Sequence, residues 1–255
     1  MTTIKKKLQA GEVCIGSWLS LGSLETAEMM TRLGFDWIAI DMEHTGLGSS
    51  DLLNLIRVIS MSGAAALVRV GANDPFMIKR ALDAGAQGII VPMVSTPEEA
   101  EAAVSAARYP PRGTRGVGLF RAQDYGLGFA AYKPWADENT FVAVQIEHRD
   151  AVPRLREILA VDGVDAFFIG PYDFSGSYGR PGEFDHPEVA AGLAEIQAIV
   201  KEGVRPASGI HVVEPEHDRL QKAIADGHRF IAFSSDMLIF AHGLKAHAET
   251  LNLKR

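Results

Sequence analysis

Phe141-Val-Ala-Val-Gln-Ile-Glu147 and Ala166-Phe-Phe-Ile-Gly-Pro-Tyr-Asp173 share one pattern, a short apolar run that leads to a carboxylate. Such a run, bounded by turn signals, reads as a strand buried on both faces, the habit of a parallel sheet. The acidic residue just past each run then lies on the rim formed by the strand carboxyl ends, where parallel α/β folds build their chemistry. Trp37-Ile-Ala-Ile-Asp41-Met-Glu43-His44 ends the same way and adds a histidine, the side chain suited to proton transfer near neutral pH.

Eight such runs recur along the chain: Val13–Leu19, Trp37–Ile40, Ala66–Val70, Gly88–Val91, Phe141–Ile146, Ala166–Ile169, Ala207–Ile210 and Phe230–Phe233. Between them, Leu24–Leu33, Asp51–Met61, Pro75–Ala84, Pro97–Ala107, Ala151–Leu159, Pro187–Glu202 and Pro215–Ala225 carry helical spacing. Several open on proline and close on glycine, as Gly34, Gly85, Gly203 and Gly227 do. Eight β/α units in 255 residues predict a (β/α)8 TIM barrel, α/β in class. No linker or low-complexity stretch interrupts the alternation, so residues 1–255 are expected to form a single barrel domain.

An open doubly wound sheet is the alternative, but no Gly-x-Gly-x-x-Gly turn follows the first strand. Gly113-Thr-Arg-Gly-Val-Gly118 has the wrong spacing and lies in the connection between Tyr109 and Thr140. That connection is long for an ordinary turn and is expected to lid or line the site.

The net charge of -7 argues against nucleic acid as a partner, because phosphate binding needs a basic face. The single Cys14 excludes an internal disulfide and any multi-cysteine zinc site; core packing is its expected role. The basic start, Met1-Thr-Thr-Ile-Lys-Lys-Lys, is not followed by the apolar core of a signal peptide. No run approaches the roughly 20 apolar residues that span a bilayer. A cytoplasmic protein that engages no membrane is the expectation.

Several residues at the predicted strand ends carry candidate chemistry. Glu147 and Asp173 supply hard oxygen donors suited to Mg²⁺ or Mn²⁺. In Asp41-Met-Glu43-His44 a neighbouring carboxylate, expected to be Asp41, would fix the tautomer of His44; a solvated surface turn is the alternative. Arg69 sits inside an apolar strand, where it needs an anionic partner; it would hold a carboxylate or a developing oxyanion, or else a structural ion pair. Gln145 alternates with Glu147 and points to the same side. Gly170-Pro171-Tyr172-Asp173 reads as a turn into a helix whose free amides would receive a substrate carboxylate, or simply as a cap. No Gly-x-Ser-x-Gly elbow supports nucleophilic serine chemistry, and Lys79 and Lys133, the lysines between residues 8 and 200, end no predicted strand. The other histidines lack metal-ligand spacing and are expected to pack or face solvent.

Taken in order, these segments resemble the HpcH/HpaI family of class II, metal-dependent 2-keto-acid aldolases over nearly the whole chain. The likeness rests on Gly34-Phe-Asp-Trp with Asp41-x-Glu-His44, Val68-Arg69, Asn73-Asp-Pro, Leu82-Asp83-Ala-Gly-Ala-Gln and Val91-Pro-Met-Val94. It continues through Tyr109-Pro-Pro-Arg-Gly-Thr-Arg-Gly-Val-Gly118, Gln145-Ile-Glu147 and Phe168-Ile-Gly-Pro-Tyr-Asp173.

The resemblance implies cleavage of a 4-hydroxy-2-oxo acid into pyruvate, or hydroxypyruvate, and an aldehyde through an enolate. A divalent metal (Mg²⁺, Mn²⁺ or Co²⁺) would sit on Glu147 and Asp173. His44, oriented by Asp41, would be the acid/base, Arg69 would face the keto oxygen, and Gln145 would line the site. Asp83 would be offered to a neighbouring subunit's site, in a hexamer whose C-terminal helix, Asp236–His247, is exchanged. Oxaloacetate decarboxylation or another carbon–carbon bond-forming reaction is the alternative use of the same enolate. The sequence departs from the family pattern at Thr45-Gly46-Leu47 and at Tyr172 and Phe174, which bears on the aldehyde. Arg121, Gln123 and Tyr125 in the long connection would set acceptor preference, or form a solvated surface.

Overall fold

The computed structural model describes residues 2–251. Eight parallel strands pair in chain order and close on themselves, since β1 hydrogen-bonds both β2 and β8. They are β1 (Cys14–Leu19), β2 (Trp37–Asp41), β3 (Ala65–Arg69), β4 (Gly88–Val91), β5 (Phe141–Ile146), β6 (Ala166–Ile169), β7 (Ala207–Val212) and β8 (Phe230–Ser235). Every predicted run is a strand, so the TIM barrel is the fold and the open sheet is excluded. The helices are α1 (Ile4–Gln9), α2 (Leu24–Thr31), α3 (Ser49–Ser62), α4 (Pro75–Asp83), α5 (Pro97–Ala107) and α6 (Phe129–Asn139). They continue as α7 (Leu155–Leu159), α8 (Pro171–Gly176), α9 (Pro187–Lys201), α10 (His217–Ala225) and α11 (Asp236–Thr250).

Side chains alternate across each strand, and the two sets meet different partners. Ile38, Ile40, Val68, Ile89, Val142, Val144 and Phe167 face outward into the layer shared with the helices. Trp37, Ala39, Leu67, Ile90, Phe141, Phe168 and Phe230 fill the lumen. There the rings interlock, Trp37 against Phe230 at 4.5 Å and Trp18 against Phe168 at 5.5 Å between centroids. Gly16 is required beneath this layer, because a Cβ there would lie 2.0 Å from the Trp37 ring.

The amino-terminal end of the barrel is shut. Ile4 and Leu8 of α1 join the lumen cluster. Lys5 and Lys7 pair with Asp165 and Asp36, just ahead of β6 and β2, at 3.0 and 2.6 Å. The carboxyl rim is therefore the open end.

Two segments differ from their predicted form. The helix expected over Ala151–Leu159 begins as a 3-10 turn at Arg149–Arg154, because Pro153 has no N–H to give an α-helical ladder, and becomes α-helical only in α7. The connection from Tyr109 to Thr140 holds a 3-10 turn (Arg121–Gly126) and α6, and it packs on the end of α4 instead of over the barrel mouth.

The final helix, α11, packs against β1 and β8 through its first residues and buries only Asp236. Met237, Ile239, Phe240 and Leu244 remain exposed along it. Among the described residues no helix is long and apolar enough to cross a membrane.

Candidate active site

Continuing the lumen alternation one step past the aromatic layer gives polar residues. Asp41 follows Trp37 and Ala39 on β2, Arg69 follows Ala65 and Leu67 on β3, and Gln145 follows Phe141 and Ala143 on β5. They line a pocket of about 190 Å³ at the carboxyl rim with Trp18, Phe168, Gly170, Pro171, Tyr172, Asp173 and His211.

Arg69 is the fixed centre of this pocket. Its Nε and Nη2 donate to the two carboxylate oxygens of Asp41 at 2.9 and 2.6 Å, a fork that holds the guanidinium plane. The same guanidinium stacks over Trp18 at 4.5 Å and lies 3.3 Å from Glu43 Oε2. Burial opposes ionisation of Asp41, but the Arg69 bond and charge, with the amides of Glu43 and His44, outweigh it and lower its pKa.

This corrects the expected role of Asp41. Its carboxylate takes Arg69 and the backbone N–H groups of Glu43 and His44 (3.0 and 3.3 Å) and makes no bond to the imidazole. The ring's partner is Glu43, whose Oε2 is 3.5 Å from His44 Nε2. His44 itself stands exposed on the rim, outside the pocket lining. Burial raises the Glu43 carboxyl above its ordinary range, against the pull of Arg69 and His44.

Glu147 lies behind the pocket wall, 2% exposed. Its Oε1 accepts the Met93 N–H at 2.7 Å, and its Oε2 accepts the Gln145 amide. Met93 itself adopts a positive φ of 55°, uncommon for a residue other than glycine. Gly170 leaves room for the same group, since a Cβ there would sit 2.6 Å from Glu147 Oε2. Burial, helped by the charges of Glu43 and Asp173, pushes the Glu147 carboxyl up to about 7 even though the Met93 and Gln145 bonds favour ionisation.

The donor set fits a divalent cation. Glu147 and Asp173 bring two carboxylates to one rim, and the buried Gln145 Oε1 beside them has no partner among the described residues. Hard oxygens of this kind suit Mg²⁺ or Mn²⁺, with water and substrate as the further ligands. Among the described residues no group of three or more His, Cys, Asp or Glu side chains gathers, so these two carboxylates would be the protein's charged ligands.

Asp83 is not part of this pocket. Its Oδ1 accepts from Arg115 Nη2 at 2.7 Å and from Gln123 Nε2 at 3.2 Å, tying the long connection to α4. Arg121 likewise donates to the carbonyl of Ala84 at 3.0 Å. No residue between 109 and 140 lines the pocket, so the expectation that this connection lids or lines the site is not met within one chain.

The sequence model of the HpcH/HpaI aldolase/citrate lyase family matches residues 15–243. This chain belongs to that family. A hydroxypyruvate/pyruvate aldolase of Sagittula stellata is 42% identical over 234 residues, covering 91% of this chain and 90% of that one. A 4-hydroxy-2-oxovalerate aldolase of Rhodococcus jostii is 40% identical over 253 residues, 97% of this chain and 95% of that one. The crystal structure of an HpcH/HpaI family protein from Burkholderia cenocepacia matches with a TM-score of 0.90 at 34% identity, covering 98% of both chains. The chain is therefore an aldolase, a carbon–carbon lyase.

Beyond the candidates read from the sequence, Trp18, Ser20, His211, Val213 and Ser235 also line the pocket of this HpcH/HpaI site. Trp18 and His211 carried the same signal as Arg69, an inward position at the end of a strand, but looked like packing residues. Asp236 was also missed: its carboxylate accepts the amides of Ser20 and Leu21 at 2.9 and 2.8 Å and so pins the β1 loop beside the pocket.

Proposed function

We propose that this HpcH/HpaI aldolase is a cytoplasmic, divalent-metal-dependent enzyme that reversibly cleaves a 4-hydroxy-2-oxo acid into pyruvate or hydroxypyruvate and an aldehyde. The observation that carries the reading is the guanidinium of Arg69, clamped by Asp41 and stacked on Trp18, facing a small pocket whose other side holds Asp173 with Glu147 behind it. Relatives named as hydroxypyruvate/pyruvate aldolases support the donor class.

In the cleavage direction the C3–C4 bond breaks, its electron pair becomes the C2–C3 enolate, and the C4 hydroxyl loses its proton as C4 becomes the aldehyde carbonyl. Charge grows on the C2 oxygen during that step, so a cation held in place beforehand stabilises the transition state more than the ground state. Arg69 provides that charge, and Asp41 prevents the side chain from relaxing away. His44, partnered by Glu43 at the rim, takes the C4 hydroxyl proton, and protonation of the enolate at C3 completes pyruvate. Glu147 and Asp173 would hold a divalent cation beside Gln145, where it would supply Lewis-acid stabilisation of the enolate oxygen. The first-turn amides of α8 lie beside Pro171 and Tyr172 and would receive the substrate carboxylate.

The test is pyruvate release from 4-hydroxy-2-oxoheptanedioate, with oxaloacetate in parallel, using wild type and Arg69→Ala with Mg²⁺ or EDTA. We expect metal-dependent release from the hydroxy-oxo acid, faster than from oxaloacetate and reduced roughly 100- to 1000-fold in the variant. Release only from oxaloacetate would assign the enolate to decarboxylation, and full activity of metal-free protein would overturn the metal-dependent reading.

A further inference from the structure

His211 follows Ala207 and Gly209 on the inward face of β7 and reaches the pocket at the level of Arg69. Its Nε2 is 3.2 Å from the carbonyl oxygen of Ser234. A carbonyl only accepts, so Nε2 carries the proton and Nδ1 carries the lone pair. The carbonyl is firmly aimed: Ser234 has a positive φ of 55°, the β1–β8 register slips between Gly16 and Trp18, and Ser17 Oγ donates to the same oxygen at 3.1 Å.

The ring stays neutral. Trp18 packs edge-on against it at 6.2 Å, and Arg69 stacks on that same indole. Burial, with Arg69 nearby, holds the imidazole down at about 4. Nδ1 makes no hydrogen bond among the described residues, yet it is not sealed, unlike Nδ1 of His186 and His228, which are buried without partners.

Several neighbouring side-chain groups of the pocket already hold partners. Arg69 and Asp41 hold each other, Gln145 donates to Glu147, and Ser235 Oγ accepts the amide of Leu238. His211 Nδ1, like Gln145 Oε1, is a neutral acceptor with no donor, in a cavity sized for a small oxo acid. A methyl group placed before it would strip the lone pair of water and return nothing, whereas a hydroxyl would donate to it.

Resting on the aldolase reading above, we propose that His211 is a specificity-determining residue that accepts a hydrogen bond from a hydroxyl next to a substrate carbonyl. It thereby favours a 3-hydroxy-2-oxo acid donor or a 2-hydroxyaldehyde acceptor over the alkyl counterpart.

The test compares kcat/KM in metal-loaded wild type, His211→Leu and His211→Gln. Hydroxypyruvate is set against pyruvate with acetaldehyde fixed, and glycolaldehyde against acetaldehyde with pyruvate fixed. We expect one of the two preference ratios to fall about tenfold or more in His211→Leu and to recover in part in His211→Gln, which restores an acceptor; which ratio moves identifies the substrate that carries the hydroxyl. Unchanged ratios, or a parallel loss with all four substrates, would overturn the assignment.

Calorimetric binding of hydroxypyruvate and pyruvate, and of glycolaldehyde and acetaldehyde, repeats the comparison without turnover. If wild type prefers the hydroxylated ligand, loses that preference in His211→Leu and turns over none of the substrates, the aldolase reading fails and the His211 assignment stands. If binding shows no preference for a hydroxyl in either pair, the assignment fails.

Discussion

Arg69 is held on two sides, its guanidinium forked by the Asp41 carboxylate and stacked over Trp18. A lone arginine between Val68 and Val70 must find an anion, and that was legible; which anion was not, because Asp41 is its neighbour only through the β2–β3 register. Sequence proximity drew Asp41 to His44, three residues away, whereas the backbone turn gives Glu43 to the ring and Asp41 to the arginine. Asp41→Asn should therefore lower kcat/KM about 10- to 100-fold by loosening Arg69, with roughly 2–3 kcal/mol lost in urea unfolding from the weakened buried pair. The acid limb of the pH–rate profile should stay where it is; a shifted limb would return Asp41 to His44.

Glu147 sets a second expectation at this scale. Its carboxyl, near 7 in the fold against an ordinary 4.5, keeps a proton that a cation must displace. Apparent Mn²⁺ affinity by calorimetry should rise about tenfold per pH unit up to about 7 and level off above it. The sign for folding is opposite: between 4.5 and about 7 the folded state binds the proton and the unfolded state does not. This group's contribution to metal-free stability therefore falls as pH rises through that window.

At the scale of elements, period-two alternation explains both what was legible and what was not. The eight runs were visible because each strand is buried on both faces, but continuous burial hides which face looks inward. Once the barrel closes, one inward register per strand yields Asp41, Arg69, Gln145 and His211 together. His211 and Trp18 were unreadable in advance because a histidine and a tryptophan in apolar runs are ordinary core residues until a pocket opens beside them. The long connection misled for a related reason: Gln123, Arg115 and Asp83 satisfy one another beside α4, which no local pattern announces. Packing inside the lumen gives a sharp test. Gly16→Ala places a methyl against the Trp37 ring and should cost more than about 3 kcal/mol or abolish folding, while Gly46→Ala, with nothing within 4 Å of its Cβ, should change stability by less than about 1 kcal/mol.

At the scale of the whole molecule, the amino-terminal end is plugged by α1 and the carboxyl rim is open, so one face carries the chemistry. The same molecule leaves α11 with Met237, Ile239, Phe240 and Leu244 in water, more apolar surface than an isolated helix ordinarily keeps. This supports the proposal that α11 docks on another subunit of a homo-oligomer. Phe240→Glu with Leu244→Glu should reduce the mass seen by light scattering while the barrel stays folded by circular dichroism; an unchanged mass would remove α11 from the interface.

The account as a whole rests on an enolate formed beside Arg69 with a divalent cation on Glu147 and Asp173, and that half-reaction can be watched without any aldehyde. The measurement is exchange of the pyruvate methyl protons in D₂O, followed by proton NMR, in wild type with Mg²⁺, with EDTA, and in Arg69→Ala. Enzyme-dependent exchange with Mg²⁺ that is lost with EDTA and falls at least about 100-fold in Arg69→Ala is the predicted result. Exchange that survives complete metal removal, or that is indifferent to Arg69, would contradict it.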